Sequence, residues 1–212
     1  MSSTSKLLRV SSDLARKGHE LCREWLSNVD RHISENINKL TCNDIKEIYF
    51  SLHGELKRWR SSSTSFQGFS ELLVYRSLYH TIGEIFNAVE TGDIATDPII
   101  FKSENYEIGQ HVKRKLDGKR RFPDIYVKHN GKLISIIQIK IVTNKGKKEI
   151  TQEIETFNLF KKSYPNIRGF FIVLIKESFT KDKEQRLRNA GYRTVILEDN
   201  KTPISSILSQ AI

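Results

Sequence analysis

Apolar residues recur at helical spacing in the first part of the chain. Between residues 5 and 60 they return at steps of three and four, with charged residues between them, which predicts amphipathic helices. The polar segment from Thr41 to Asp44 predicts a break and an N-cap before a second helical run. A serine-rich linker follows at 61–65. We therefore predict an N-terminal helical region over 1–65, which serves as a packing hairpin or as an oligomerisation element.

From residue 66 the pattern becomes mixed, with helical and strand periods in turn. A strong amphipathic helix is predicted first, and a three-stranded meander follows it. The predicted helices are 68–90, 147–164, 180–190 and a short one at 203–211, and the predicted strands are 106–116, 119–128, 132–142, 169–175 and 192–197. This order predicts an α/β domain over 66–212, in which a mixed β-sheet is flanked by helices.

A lysine stands in the most apolar of these strands. In the segment 134–141, alternation places Gln138 and Lys140 on one face of the sheet, while Ile137, Ile139 and Ile141 face the other side. Because burying a lysine without a partner is costly, we expect a carboxylate or a bound anion beside it.

Asp124 joins that face only under one register of the preceding turn. If Asn130-Gly131 formed a regular two-residue loop, Asp124 would face away from Lys140. A three-residue loop that begins at His129 would instead place Asp124 opposite Ile136, on the face of Lys140. We predict the three-residue loop or an equivalent bulge.

Positive charge is concentrated on both sides of this strand pair. The formal net charge is +10 and the sequence pI about 9.6, which suggests nucleic acid or an anionic membrane as a partner. Because two basic clusters bracket one polar constellation, we favour contacts with the phosphates of a nucleic acid rather than with a membrane. The residues predicted to bind the nucleic acid are Lys113, Arg114, Lys115, Lys119, Arg120, Arg121, Lys145, Lys147 and Lys148.

Other site classes and compartments receive little support from the sequence. No apolar run approaches the roughly 20 residues that span a bilayer, and the first residues lack the apolar core of a secretion signal. We expect an intracellular, cytoplasmic protein, in the host cell if the source is viral. Cys22 and Cys42 match no zinc pattern and are interpreted as ordinary helix residues, with a disulfide between them left open.

The motif itself resembles a known family. Pro123-Asp124, thirteen residues and then Gln138-Ile139-Lys140 is similar to the signature of the PD-(D/E)XK nuclease superfamily. The predicted element order over 66–176 is similar to the core of that superfamily. The likeness is greatest to archaeal Holliday-junction resolvases and to small nucleases of archaeal viruses. Glu71 stands where many members keep an additional metal-binding glutamate.

The resemblance implies a Mg²⁺- or Mn²⁺-dependent deoxyribonuclease that acts as a homodimer, with branched or junction DNA among its substrates. It implies that Glu71, Asp124, the Gln138 side-chain oxygen and the Ile139 carbonyl hold the metal ion. Lys140 would then position the attacking water or stabilise charge on the phosphate.

One position departs from the family pattern. The second carboxylate of the motif is replaced by Gln138, which removes one negative charge from a site that must attract a cation. Glu71 could restore that charge. The alternatives are a catalytically inactive DNA-binding protein with the nuclease fold, and an interaction protein whose N-terminal helices bind a partner. In the helix that follows, Gln152 is interpreted as a surface residue.

Overall fold

The computed structural model describes residues 27–57, 67–86, 100–110, 114–116, 119–121, 123–141, 147–177 and 179–212. The predicted domain boundary between 65 and 66, the predicted turn at 117–118 and Cys22 lie outside these residues. None of the helices in the described ranges is long and apolar enough to cross a membrane.

Helices and strands follow one another in the order expected of an α/β protein. The helices are α1 (27–36), α2 (Cys42–Lys57), α3 (Gln67–Phe86), α4 (Lys147–Ser163), α5 (Lys181–Asn189) and α6 (Ile204–Leu208), and a 3₁₀ turn follows at Ser209–Ala211. The strands are β1 (Ile100–Lys102), β2 (Tyr106–Gln110), β3 (Arg114–Leu116), β4 (Lys119–Arg121), β5 (Ile125–His129), β6 (Lys132–Lys140), β7 (Arg168–Val173) and β8 (Tyr192–Ile196).

Six of these strands form one mixed sheet in the order β1-β2-β5-β6-β7-β8. The pairs from β1 to β6 are antiparallel, whereas β6, β7 and β8 run parallel to one another. β3 and β4 form a separate antiparallel ribbon. The predicted α/β class, with helices flanking a mixed sheet, is confirmed.

Alternate residues of the central strands feed two separate cores, one on each face of the sheet. On one face, Ile137 and Ile172 pack with residues of α2, α3 and α6, and we call this the α3 face. On the other, Ile136 and Phe171 pack with residues of α4 and α5, and we call this the α4 face. The sheet is therefore buried on both sides, which explains why β6 and β7 are almost continuously apolar.

The N-terminal helices belong to the core of the α3 face. Ile33 from α1 and Ile45 from α2 are buried in the same cluster as Ile139 of the sheet. The predicted N-cap before α2 is also present, since the Thr41 hydroxyl accepts a hydrogen bond from the Asp44 backbone N–H while the Asp44 carboxylate accepts one from the Thr41 N–H. Cys42 is a buried free thiol, and burial raises its pKa to about 11.

Two predicted strands are each split in the structure. The predicted strand 106–116 appears as β2 and β3, and 119–128 appears as β4 and β5. Pro123 lies between β4 and β5 and lacks a backbone N–H, which explains why the ladder breaks there. β1 was not predicted, because three residues are too few to show a period.

Gly169 on β7 allows two aromatic rings to lie against the strand. A Cβ atom at this position would lie 2.5 Å from Phe157 Cζ and 2.8 Å from Tyr192 Cδ1. Because an added methyl group would meet two rings at once, we expect Gly169→Ala to lower the free energy of unfolding by about 3 kcal/mol, measured by urea denaturation. Gly131→Ala is the matched control: its surroundings are open and only its φ of +73° opposes a side chain, so its cost is about 1 kcal/mol. Equal costs for the two variants would contradict the close approach of the rings.

Candidate functional site

The hairpin between β5 and β6 closes through a two-residue turn. His129 pairs with Lys132, and the two residues between them have positive φ, 48° at Asn130 and 73° at Gly131. Asparagine and glycine both tolerate this conformation, which suits the tight turn that a twisted hairpin requires. The predicted three-residue loop is therefore wrong.

A bulge in β6 provides the register change instead. Lys128 pairs with Leu133 but Val127 pairs with Ser135, so Ile134 is an extra residue on β6. Beyond the bulge, every residue of β6 faces the side opposite to the one that the turn alone would give it. The bulge that we predicted as the alternative to the longer loop is confirmed.

The bulge brings Asp124 to the face of the predicted site. Continuing the register from Ile125 by one residue places Asp124 opposite Gln138, rather than opposite Ile136 as the longer loop required. Alternation along β6 then puts Gln138 and Lys140 on the same side, on the α4 face. The sequence prediction that Asp124 shares a face with Lys140 therefore agrees with the structure, although the bulge in β6 and not the turn provides the register.

The Asp124 carboxylate is buried and held by the backbone of β6. Its Oδ2 accepts a hydrogen bond of 2.7 Å from the Ile139 N–H, and the residue is 9% exposed. Burial and the negative charge of Glu71 raise the pKa of Asp124 to about 7, against the opposing effects of the Ile139 hydrogen bond and the Lys140 ammonium. A carboxyl group poised near neutral pH in this way is typical of functional sites.

Glu71 reaches this point from the other side of the sheet. It lies in the first turns of α3, which packs on the α3 face, and is 2% exposed. Its charge is the second-largest cause of the raised pKa of Asp124, so the two carboxyl groups interact at the sheet end. Gln138 is also buried, at 3% exposure. In a strand, the N–H and C=O of one residue point to the same side, so the Ile139 carbonyl points toward Asp124 as well.

Lys140 has the carboxylate neighbours that its burial requires. Its Nζ lies 3.1 Å from Glu153 Oε1 and 3.9 Å from Glu149 Oε1, both on α4. Burial opposes its charged form, but the carboxylates of Glu153 and Asp124 outweigh this effect and raise the pKa of Lys140. The expected acidic partner is thus confirmed.

Glu149 and Glu153 were missed as site residues in the sequence analysis. Their spacing of four residues places them on one helix face, and they follow the lysine strand closely, so a search for acidic pairs at this spacing would have found them. Gln152 is exposed, as predicted.

The oxygen atoms available at this site suit a hard cation. Within the described parts of the chain, no group of three or more His, Cys, Asp or Glu side chains is arranged to hold a metal ion. The candidate donors are the carboxylates of Glu71 and Asp124, the side-chain oxygen of Gln138 and the Ile139 carbonyl. This all-oxygen set is of the kind that Mg²⁺ or Mn²⁺ prefers.

The basic residues of the predicted DNA interface fall on two elements near one another. In the β3–β4 ribbon the backbone register sets Arg114 opposite Arg121 and Lys115 opposite Arg120. The third pair of the ribbon sets Lys119 opposite the uncharged Leu116. Strand β3 also contacts helix α4, whose first two residues are Lys147 and Lys148. Lys113 and Lys145 lie outside the described residues. Like charges directly opposite one another destabilise a strand pair unless an anion neutralises them.

Comparisons with protein-family models, with curated proteins and with solved structures found no match to this chain.

Proposed function

We propose that this protein is a metal-dependent deoxyribonuclease that hydrolyses phosphodiester bonds, with a core of the PD-(D/E)XK type. One observation carries the proposal: the bulge in β6 brings Asp124 to the side of Gln138 and Lys140, where burial and, after it, the charge of Glu71 raise its pKa to about 7. Two buried carboxyl groups that repel one another favour a bound cation, because the cation removes the repulsion. The order of α3, the meander, α4 and β7 also supports this type of core.

The residues have distinct roles in the proposed reaction. Glu71, Asp124, the Gln138 oxygen and the Ile139 carbonyl would hold Mg²⁺ or Mn²⁺. A divalent cation at this position supplies a Lewis acid for the phosphate and lowers the pKa of a bound water. Lys140, kept protonated by its carboxylate neighbours, contributes positive charge that stabilises the phosphoryl oxygens or orients the attacking water.

DNA is the proposed polymer because cationic positions face one another across the β3–β4 ribbon. Two of its three cross-strand pairs join like charges, and a phosphate backbone would relieve their repulsion. The ribbon lies against α4, which begins with two lysines and also supplies the acidic partners of Lys140. A homodimer that acts on branched or junction DNA completes the proposal.

The test is cleavage of plasmid and four-way-junction DNA with Mg²⁺, Mn²⁺ or EDTA. We expect cleavage that requires the metal ion and falls by at least about a hundredfold in Asp124→Ala and in Lys140→Ala. Asp182→Ala and Lys176→Ala are matched controls, since both residues are exposed and lie outside the site. Cleavage that persists in EDTA, or that both site variants retain, would overturn the proposal.

Gln138 supports a second candidate, a DNA-binding protein that does not cleave. Its buried amide occupies the position at which the superfamily keeps an acid, so the cation site has one negative charge fewer. Salt-sensitive DNA binding without cleavage under any metal condition would favour this candidate. Binding to no DNA at low salt would exclude both and leave the interaction protein.

A further inference from the structure

Helix α4 presents two carboxylates to the lysine of the candidate site. Glu149 and Glu153 lie about one helical turn apart on the same face, and both lie within 4 Å of the Lys140 ammonium. The three side chains are only 15–20% exposed. Because water is largely excluded and Lys140 is a long, flexible side chain, these contacts restrict where its ammonium can lie.

The carboxylate of Asp124 is a third group that competes for the ammonium of Lys140. Asp124 lies opposite Gln138, two residues along β6 from Lys140 and on the same face, and the charge of each group affects the pKa of the other. In the described part of the chain, however, Lys140 forms its ion pairs with Glu149 and Glu153 on α4. The closer of these contacts, to Glu153, holds the ammonium beside Asp124 without a direct ion pair between them.

The position of Glu153 is itself fixed by packing. Its helix is anchored to the α4 face through Phe157 and Phe160, which are fully or almost fully buried. The backbone carbonyl of Glu153 also accepts a hydrogen bond of 3.5 Å from the Tyr192 hydroxyl on β8. A carboxylate on so constrained a backbone can hold a flexible partner in one place.

We propose that Glu153 is a positioning residue, which holds the Lys140 ammonium on the α4 side of the site and so leaves the oxygens of Asp124 available to a cation. Glu149 assists from the greater distance. This inference rests on the proposed nuclease function. It assigns to α4 a role that the motif on β5 and β6 does not include.

The first test is a double-mutant cycle in the cleavage assay. We expect Glu153→Gln to lower kcat by about ten- to a hundredfold with little change in KM, because a misplaced reacting group costs rate rather than binding. In a Lys140→Ala background the same substitution should cause no further loss. Glu155→Gln, on the exposed side of the same helix, is the matched control and should cleave like the wild type. An equal loss in both backgrounds would overturn the inference.

The second test needs no activity. The ammonium group of Lys140 should give a resolved ¹H–¹⁵N signal in the wild type, assigned by its disappearance in Lys140→Ala. We expect Glu153→Gln to broaden or remove that signal and Glu155→Gln to leave it unchanged, and a signal that persists in Glu153→Gln would overturn the inference. The wild type could show the Glu153-dependent signal and yet cleave no DNA. In that case the proposed nuclease function fails, and with it the expected effect of Glu153 on kcat, while the positioning of Lys140 by Glu153 is supported.

Discussion

Replacing Asp124 with asparagine is expected to stabilise the metal-free protein by about 4 kcal/mol at pH 8, while it removes cleavage. The wild-type carboxyl has a pKa raised from 3.8 to about 7 in the folded protein, so at pH 8 folding must keep it ionised in a buried place. Each unit of such a shift corresponds to about 1.4 kcal/mol. Asparagine keeps an oxygen that can accept the Ile139 N–H hydrogen bond but carries no charge.

The sign of the pH dependence follows from that raised pKa. Between pH 3.8 and about 7 the folded protein binds the proton more strongly than the unfolded chain does, so this group makes the wild type less stable as the pH rises through that window. The gain in the free energy of unfolding that Asp124→Asn has over the wild type should therefore be absent below pH 3.8, smaller at pH 5 than at pH 8, and constant above about pH 7. Urea denaturation in EDTA at each pH measures it.

Two further variants sharpen this prediction. Asp124→Ala also removes the charge but leaves the buried Ile139 N–H without its acceptor. The increase in the free energy of unfolding should therefore be about 1–3 kcal/mol smaller for Asp124→Ala than for Asp124→Asn. Asp182→Asn alters an exposed carboxyl group on α5 and should show no comparable increase at pH 8. If Asp124→Asn is less stable than the wild type at pH 8, the metal-free protein already stabilises the Asp124 carboxylate, and that carboxylate gains less from a bound cation.

Replacing Asp30 with alanine is expected to lower the free energy of unfolding by about 3–5 kcal/mol. The Asp30 carboxylate on α1 accepts hydrogen bonds of 2.5 Å from Arg76 Nε and 2.7 Å from a terminal nitrogen of the same guanidinium, and its Oδ1 lies 2.9 Å from His80 Nε2. Arg76 is 3% exposed, so the substitution leaves a buried positive charge without this carboxylate. Urea denaturation at pH 7 measures the loss.

The ion pair between Asp30 and Arg76 also predicts a loss of stability in acid. Burial opposes ionisation of Asp30, but the hydrogen bonds from His80 and Arg76 outweigh it and lower the pKa of Asp30 to about 2. Its contribution is therefore complete above the unfolded value of 3.8 and is lost as the pH falls through about 2.

Arg188→Ala is the control for this ion pair. It removes an exposed partner of Glu184 at a spacing of four residues, a pair worth about 0.3–0.5 kcal/mol. A cost for Asp30→Ala as small as that of Arg188→Ala would show that the Arg76 charge is satisfied by other groups. A large cost would establish that α1 is held to α3, the helix that carries Glu71.

The candidate site could be predicted in part because some of its geometry is local. Alternation along one strand places Gln138 and Lys140 on one face whatever the rest of the chain does. Asp124 lies on another strand, and its face depends on the number of residues in the intervening turn and on any bulge. The sequence indicated that a change of register was needed, but the chain makes it at Ile134 and not in the turn.

The helix pattern likewise predicted where helices form but not what they contact. The spacing of Glu149 and Glu153 indicates a shared face of α4. That this face meets Lys140 depends on how α4 packs across the sheet through residues such as Phe157. Such packing is the sum of many contacts between residues distant in sequence, so no short pattern encodes it.

By itself, the sequence determined the α/β class, the positions of most helices and strands, the N-cap of α2 and the common face of Gln138 and Lys140. These features follow from backbone periods and from local hydrogen bonds. Only the tertiary structure decided that Asp124 lies opposite Gln138, that Glu71 affects the pKa of Asp124 from the other side of the sheet, and that Glu153 forms an ion pair with Lys140. The reason is physical: a single extra residue reverses the face of a strand, and contacts between separate elements depend on packing that forms only when the whole core is assembled.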